Sequence, residues 1–130
     1  MRDYTNIQAW KLADDLTVAI YEHTKNFPSE ERFGLTSQLR RAAYSAPANI
    51  AEGSGRASQR DYLHFLFIAR GSLRESEYFI HLSRRLKFLS DQDAEQLLTQ
   101  VKSACACLYG LIRAVEKEAV KPRKTPVPSP

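Results

Sequence analysis

The 130-residue chain has few of the features that membrane proteins and secreted proteins need. No segment approaches the roughly 18 consecutive apolar residues that a membrane helix requires. The N-terminal segment has no apolar stretch of the kind found in signal peptides. We therefore expect a cytoplasmic protein without a membrane partner. The length suits one domain, and the 43% hydrophobic and 26% charged residues are ordinary for a soluble globule.

Cysteine and histidine are scarce, and their spacing does not suit a metal site or a catalytic site. Cys105 lies on an apolar stripe and Cys107 lies off it. On a helix these two side chains point to nearly opposite sides, so they can neither bridge nor share a metal. His23, His64 and His81 are not at ligand spacing, and no serine or cysteine has the surroundings of a nucleophile. We therefore predict that the protein is not an enzyme and has no metal or other cofactor.

The sequence also lacks the alternation of apolar and polar residues that is typical of strands. Apolar residues instead recur at spacings of three and four, which predicts amphipathic helices over residues 6–25, 35–52, 58–89 and 90–118. Short connections between them predict an all-α fold, an up-down-up-down four-helix bundle over residues 1–118. Residues 119–130 contain four prolines and three basic residues and are predicted to form a flexible, disordered C-terminal tail.

Local signals define several helix ends. Ser58 and Ser90 each precede an aspartate by three residues, a pattern typical of a helix N-cap. Gly53 is expected to follow the second helix in the left-handed conformation. Pro47 lies inside that helix, where it removes one backbone hydrogen bond and is expected to bend the axis.

The net charge of +4 is unevenly distributed along the chain. Residues 1–31 carry three basic and six acidic groups, a balance of −3. Residues 32–87 carry ten basic and four acidic groups, a balance of +6, and residues 88–130 carry six and five, a balance of +1. The concentration of positive charge in the middle of the chain indicates an anionic partner without requiring one.

The predicted helix over residues 58–89 has two contrasting faces. One is a core stripe with small residues mixed in: Tyr62, Phe65, Leu66, Ala69, Leu73, Ser76, Ile80 and Ser83. The opposite face is basic and aromatic: Arg60, Phe67, Arg70, Arg74, Tyr78, His81 and Arg85. Such a face can follow phosphates while its rings stack. A solvated charged face, or a subunit interface built from arginine stems and rings, explains the same pattern.

Three further arginines precede this helix. Arg40 and Arg41 project from the first half of the second helix, and Arg56 flanks the following turn, where it can pair with Glu52. We take seven arginines as candidate nucleic-acid-binding residues: Arg40, Arg41, Arg56, Arg60, Arg70, Arg74 and Arg85.

Two stretches carry a family resemblance. They are Phe27-Pro-Ser-Glu-Glu-Arg-Phe-Gly-Leu35-Thr-Ser-Gln-Leu-Arg-Arg-Ala42 and Ser45-Ala-Pro-Ala-Asn-Ile-Ala-Glu-Gly-Ser-Gly-Arg56, and they are followed by Asp61-Tyr62, Phe65-Leu66 and Ala69-Arg-Gly-Ser-Leu-Arg-Glu75. Over roughly residues 4–116 the chain resembles the four-helix-bundle proteins encoded in intervening sequences of bacterial 23S ribosomal RNA genes. The accessory proteins of diversity-generating retroelements are similar in fold to that family.

The resemblance implies a bacterial cytosolic protein that assembles into a homopentameric barrel. For the retroelement relatives it also implies a basic surface that binds nucleic acid and a reverse transcriptase. It supplies no catalytic residues.

Two functions from different classes follow. The first is a homo-oligomer that binds RNA or DNA, in which repeated basic faces multiply weak phosphate contacts. The second is a scaffold or accessory subunit for a nucleic-acid enzyme such as a reverse transcriptase, anchored by Phe67, Tyr78 and Trp10. Trp10 lies at the margin of the first apolar stripe, where it marks a second contact surface or closes the edge of the bundle itself.

Overall fold

The computed structural model describes residues 2–120. Four α-helices make up most of this part of the chain: α1 (Gln8–Thr24), α2 (Leu35–Ser54), α3 (Gln59–Arg85) and α4 (Asp91–Ala119). Short 3-10 turns at Tyr4–Asn6 and Ser29–Glu31 precede α1 and α2. Residues 2–120 contain no strand, so the predicted all-α class is confirmed. Ala119, predicted to lie in the tail, is the last residue of α4, and tail residues 121–130 lie outside the described residues.

The four helices form the predicted up-down-up-down bundle. Each helix packs against the next one along the chain, and α1 closes the bundle by packing against α4. Helix α3 therefore lies diagonally opposite α1 and has α2 on one side and α4 on the other. This arrangement leaves one side of α3 facing outward. In the part of the chain that the structure describes, no helix is long and apolar enough to cross a membrane.

The core consists of the apolar stripes that the sequence predicts. Its largest fully buried aliphatic side chains come from all four helices: Leu16, Ile20, Leu39, Ile50, Leu66, Leu73, Ile80, Leu97, Val101 and Leu108. Of the eight residues predicted for the core stripe of α3, only Phe65 remains half-buried. The buried hydroxyls of Ser76 and Ser83 donate to the carbonyls of Ser72 (2.9 Å) and Phe79 (2.7 Å) one turn earlier, so these small polar residues need no partner from another helix.

Helix α2 continues through Pro47 because a neighbouring helix supplies the missing donor. Proline has no N–H, so the Ala43 carbonyl has no donor within its own helix. The Thr17 hydroxyl on α1 lies 3.0 Å from the Ala43 carbonyl oxygen and 2.8 Å from that of Ala13. The hydroxyl therefore donates to both carbonyls, that of Ala13 in its own helix and that of Ala43, which has no donor because of Pro47. The predicted bend of the α2 axis stays a prediction.

Gly53 does not have the role predicted for it. It lies within α2, it is buried, and no glycine in residues 2–120 has a positive φ. A Cβ at this position would lie 2.8 Å from the Phe65 Cβ and 3.1 Å from the Tyr62 ring. The glycine is needed because α2 and α3 touch here. The prediction was wrong because this contact is between helices and leaves no local signal.

Both predicted serine caps are confirmed, since the Ser58 and Ser90 hydroxyls accept from the N–H groups of Asp61 (3.1 Å) and Asp93 (3.0 Å).

The end of α3 differs from the prediction by four residues, because Lys87 adopts the left-handed conformation with φ 66°. The Phe88 N–H then bonds to the Ser83 carbonyl at 2.9 Å, which closes a Schellman motif. No glycine signals this stop in the sequence.

We expect Gly53→Ala to lower the free energy of unfolding by about 1–3 kcal/mol, because the new methyl group must displace α3. Gly110→Ala is the matched control, since Gly110 is helical and exposed, and no atom of residues 2–120 lies within 4 Å of an added Cβ. The control is expected to raise stability by up to about 1 kcal/mol. Urea unfolding of both variants checks this. Equal stabilisation by the two substitutions would contradict the tight α2–α3 contact.

We expect Thr17→Val to lower the free energy of unfolding by about 1–3 kcal/mol, because it leaves the Ala43 carbonyl without a donor in a part-buried position. Thr99→Val is the control. Within residues 2–120 the Thr99 hydroxyl bonds only to the Glu95 carbonyl (2.9 Å), on an exposed surface, so its loss is expected to change stability by less than about 0.5 kcal/mol. Similar effects at both positions in thermal unfolding would argue against the proline-compensating role.

Candidate nucleic-acid interface

The outer side of α3 carries the basic and aromatic face predicted from the sequence. Its seven members are all exposed: Arg60, Phe67, Arg70, Arg74, Tyr78, His81 and Arg85. Helix α3 has 27 residues, and at 1.5 Å per residue its length is about 40 Å. The helix repeat places the seven side chains in one arc along that length. We call this surface the α3 outer face.

Its arginines are only weakly balanced by carboxylates. Arg74 lies 3.6 Å from Glu77, and its side chain is 72% exposed. The Arg70 guanidinium lies over the Phe67 ring, 5.0 Å from the centroid. Arg60 and Arg85 make no ion pair or ring contact within residues 2–120. Positive charge along this face is therefore available to an external anion.

Arg41 and Arg56 lie at the seam between α2 and α3 and are paired. An Arg41 Nη donates to Glu75 Oε2 at 3.1 Å. Arg56 pairs with Glu52, as predicted, and its guanidinium lies over the Phe65 ring, 4.7 Å from the centroid. These two cations therefore contribute less net charge to the surface than those of the α3 outer face.

Arg40 is separated from the other six candidates. The Arg40 Nε donates to Thr24 Oγ1 at 2.8 Å, and an Nη donates to the Tyr21 carbonyl at 3.4 Å. Its guanidinium also lies over the Tyr21 ring, 4.6 Å from the centroid. Arg40 therefore holds α2 against the C-terminal end of α1 and does not join the α3 outer face.

Sequence reasoning missed the contribution of α4. Lys102 and Tyr109 line cavities beside the α3 outer face, and an Arg113 Nη donates to the Tyr109 hydroxyl at 3.0 Å. These residues lie next to the apolar stripe of α4 at helical spacings, so a reading of both margins of that stripe would have found them.

The two cysteines lie on α4 and are free thiols. Both are half-buried, and Cys107 packs against the core as Cys105 does, although it was predicted off the stripe. Burial raises the pKa of the Cys105 thiol, the Glu77 carboxylate raises it further, and Arg74 lowers it in part. The thiol therefore stays protonated near neutral pH. Within residues 2–120, no three His, Cys, Asp or Glu side chains are grouped so that they could hold a metal ion.

Trp10 is half-buried and covered in part by its own chain. The Tyr4 ring meets it edge-on, with the centroids 5.0 Å apart, and the indole packs against the core. A further contact of Trp10 with a second subunit stays a prediction.

These features define a small four-helix-bundle protein with one basic, aromatic outer helix. The chain belongs to the 23S rRNA-intervening sequence protein family, whose family model matches residues 5–110. The family resemblance seen in the sequence is thereby confirmed.

The fold is similar to the crystal structure of a protein of unknown function from the S23 ribosomal protein family of Bacteroides thetaiotaomicron. The TM-score is 0.73 at 23% identity, and the match covers 81% of this chain and 98% of that chain. At this identity the likeness shows the fold alone. No curated protein matches this chain.

We expect Arg40→Ala to lower the free energy of unfolding by about 1–3 kcal/mol, because it removes charged hydrogen bonds at the end of α1. Arg60→Ala is the control and is expected to change stability by less than about 0.5 kcal/mol, since Arg60 is exposed and unpaired within residues 2–120. Urea unfolding of both variants tests the assignment. A fully stable Arg40→Ala variant would return Arg40 to the candidate binding residues.

Proposed function

We propose that the protein binds the phosphate backbone of RNA or DNA through the α3 outer face. The observation that carries this proposal is the row of Arg60, Arg70, Arg74 and Arg85, of which only Arg74 has a carboxylate within ion-pair distance in residues 2–120. When such arginines neutralise phosphates, the counterions condensed on the nucleic acid are released, and this release drives sequence-independent binding.

The proposal includes a homo-oligomeric, non-enzymatic, cytoplasmic protein. One α3 outer face offers four arginines, which is a modest number for stable binding. A symmetric assembly would present several copies of that face to one nucleic acid and thereby raise the avidity. The pentameric state rests on the sequence resemblance alone.

A second candidate function is a scaffold or accessory subunit for a nucleic-acid enzyme such as a reverse transcriptase. The observation that favours it is the exposure of large rings on the same face, 56% for Tyr78 and 40% for Phe67. Exposed aromatic residues next to arginines are typical of energetically important positions in protein interfaces.

Nucleic-acid binding predicts an affinity that falls steeply with salt. Fluorescence anisotropy with a labelled oligonucleotide between 50 and 200 mM salt gives the slope of log K against log salt, which each phosphate contact steepens by about 1. Replacing Arg60 and Arg85 with glutamine is expected to reduce the slope by about 2 per bound face, because both arginines are unpaired within residues 2–120.

The matched control replaces Lys11 and Arg32 with glutamine, since both are exposed but lie on α1 and in the α1–α2 connection. It is expected to leave the slope unchanged. No binding at low salt, or binding without salt dependence, would contradict the proposal. Capture of a protein partner that survives nuclease treatment would favour the scaffold.

A further inference from the structure

A groove runs along the seam between α3 and α4, beside the α3 outer face. It consists of two cavities of about 450 and 500 Å³ that meet at Arg74. The first is lined by Phe67, Arg70, Gly71, Arg74, Cys105 and Tyr109. The second is lined by Arg74, Glu77, Tyr78, His81, Glu95, Leu98 and Lys102. Each cavity has the size of a small-molecule site.

Gly71 lines the first cavity without a side chain. It is an exposed residue in the middle of α3, and an added Cβ would have no atom of residues 2–120 within 4 Å. Glycine is a poor helix former, so a residue with a side chain would suit this position better if packing within the chain were the only requirement. The contacts within residues 2–120 give no reason for the glycine. A ligand that approaches the α3 backbone between Phe67 and Arg74 would explain why this position has no side chain.

The two cavities differ in charge. Arg70 and Arg74 line the first, and no carboxylate of residues 2–120 lines it, although Glu77 lies 3.6 Å from Arg74, so this cavity suits a phosphate group. The second cavity is lined by two cations, Arg74 and Lys102, and by two carboxylates, of which Glu77 lies 3.6 Å from Arg74 and Glu95 is bonded to Arg84 at 2.7 Å. It therefore suits a neutral group with N–H donors, and the edge of a nucleobase is such a group.

The aromatic rings of the groove are presented to solvent. Tyr78 and Tyr109 are each 56% exposed. The Arg113 guanidinium lies over the Tyr109 ring, 5.8 Å from its centroid, as Arg70 lies over Phe67. Rings interleaved with cations are typical of sites where unpaired bases stack while the backbone follows the charges. A duplex hides the faces of its bases and cannot use these rings.

We infer that the ligand of this groove is a single strand of nucleic acid, with a phosphate at Arg70 and Arg74 and bases on Tyr78 and Tyr109. The inference rests on the proposed function and goes further, because it names the form of the nucleic acid and the α4 side of its site.

The test compares one labelled oligonucleotide of about 20 nucleotides, free of self-complementarity, with the same strand annealed to its complement. Anisotropy titrations at about 50 mM salt are expected to give at least a tenfold tighter binding of the single strand, because two stacked bases contribute only to that form. Replacing Tyr78 and Tyr109 with alanine is expected to remove this preference, so that the ratio of the two affinities falls to about 1. Replacing both with phenylalanine keeps the rings and is expected to retain it.

Tyr44→Ala is the control for the loss of an exposed ring, because Tyr44 is 48% exposed on α2 and lines neither cavity. It is expected to change neither affinity. Gly71→Leu places a side chain in the groove at a position where an added Cβ meets no atom of residues 2–120 within 4 Å, and it is expected to weaken single-strand binding about tenfold. Its control is Gly110→Leu, since Gly110 is equally unobstructed but outside the groove. Sedimentation confirms that each variant keeps the mass of the parent.

The outcomes separate the two proposals. Salt-dependent binding with equal affinity for both forms would overturn the single-strand inference and leave the proposed function standing. Failure to bind either form would overturn the proposed function itself. A change in assembly mass caused by Gly71→Leu but not by Gly110→Leu would show that a second copy of the chain occupies the groove, and would overturn the inference as well.

Discussion

Helix α2 is built largely from small residues, so it packs closely against α1 and α3, and this contact fixes which side of α3 faces outward. Ala43 and Ala46 are completely buried, and Gly53 has no space for a methyl group beside Phe65. The hydroxyls of Ser45 and Ser72 meet at 2.8 Å across the seam. Because one side of α3 is fixed against α2 in this way, and its other side is occupied by α4, its arginine-rich side has no position except the outside.

The arginines of the middle segment serve two different purposes. Some hold the bundle together: Arg84 bonds Glu95 at 2.7 Å across the α3–α4 connection, and Arg40 holds the end of α1. Arg2 acts similarly at the opposite end, where an Nη donates to the carbonyls of Ser54 (3.2 Å) and Arg56 (3.1 Å) and the guanidinium lies over the Tyr62 ring. Others lie along the α3 outer face with few partners of their own. A net charge counted over a segment cannot separate these purposes, since both depend on contacts between helices.

The features of the fold that could be predicted from the sequence are those that produce a helical periodicity. They include the number of helices, their order, their serine caps and nearly the whole core stripe of α3, because each of these depends on neighbours within about one helical turn. The sequence does not reveal the purpose of Gly53 or the early stop at Lys87, because these depend on a contact with Phe65 and on a left-handed residue that is not glycine. For the same reason, only the α3 half of the candidate site could be predicted from the sequence. The α3 side lies on one helix, whereas Lys102 and Tyr109 join it only when α4 is placed alongside.

The hydrogen bond from Thr17 to the Ala43 carbonyl has a consequence for the stability of α2. Without α1, the turn before Pro47 has a carbonyl with no donor in its own helix. The Thr17 hydroxyl supplies the donor that this turn lacks, so the hydrogen bonding of α2 within the protein is complete only when α1 is docked. The stability of α2 around Pro47 is therefore tied to its contact with α1, and loosening that contact is expected to loosen this turn as well.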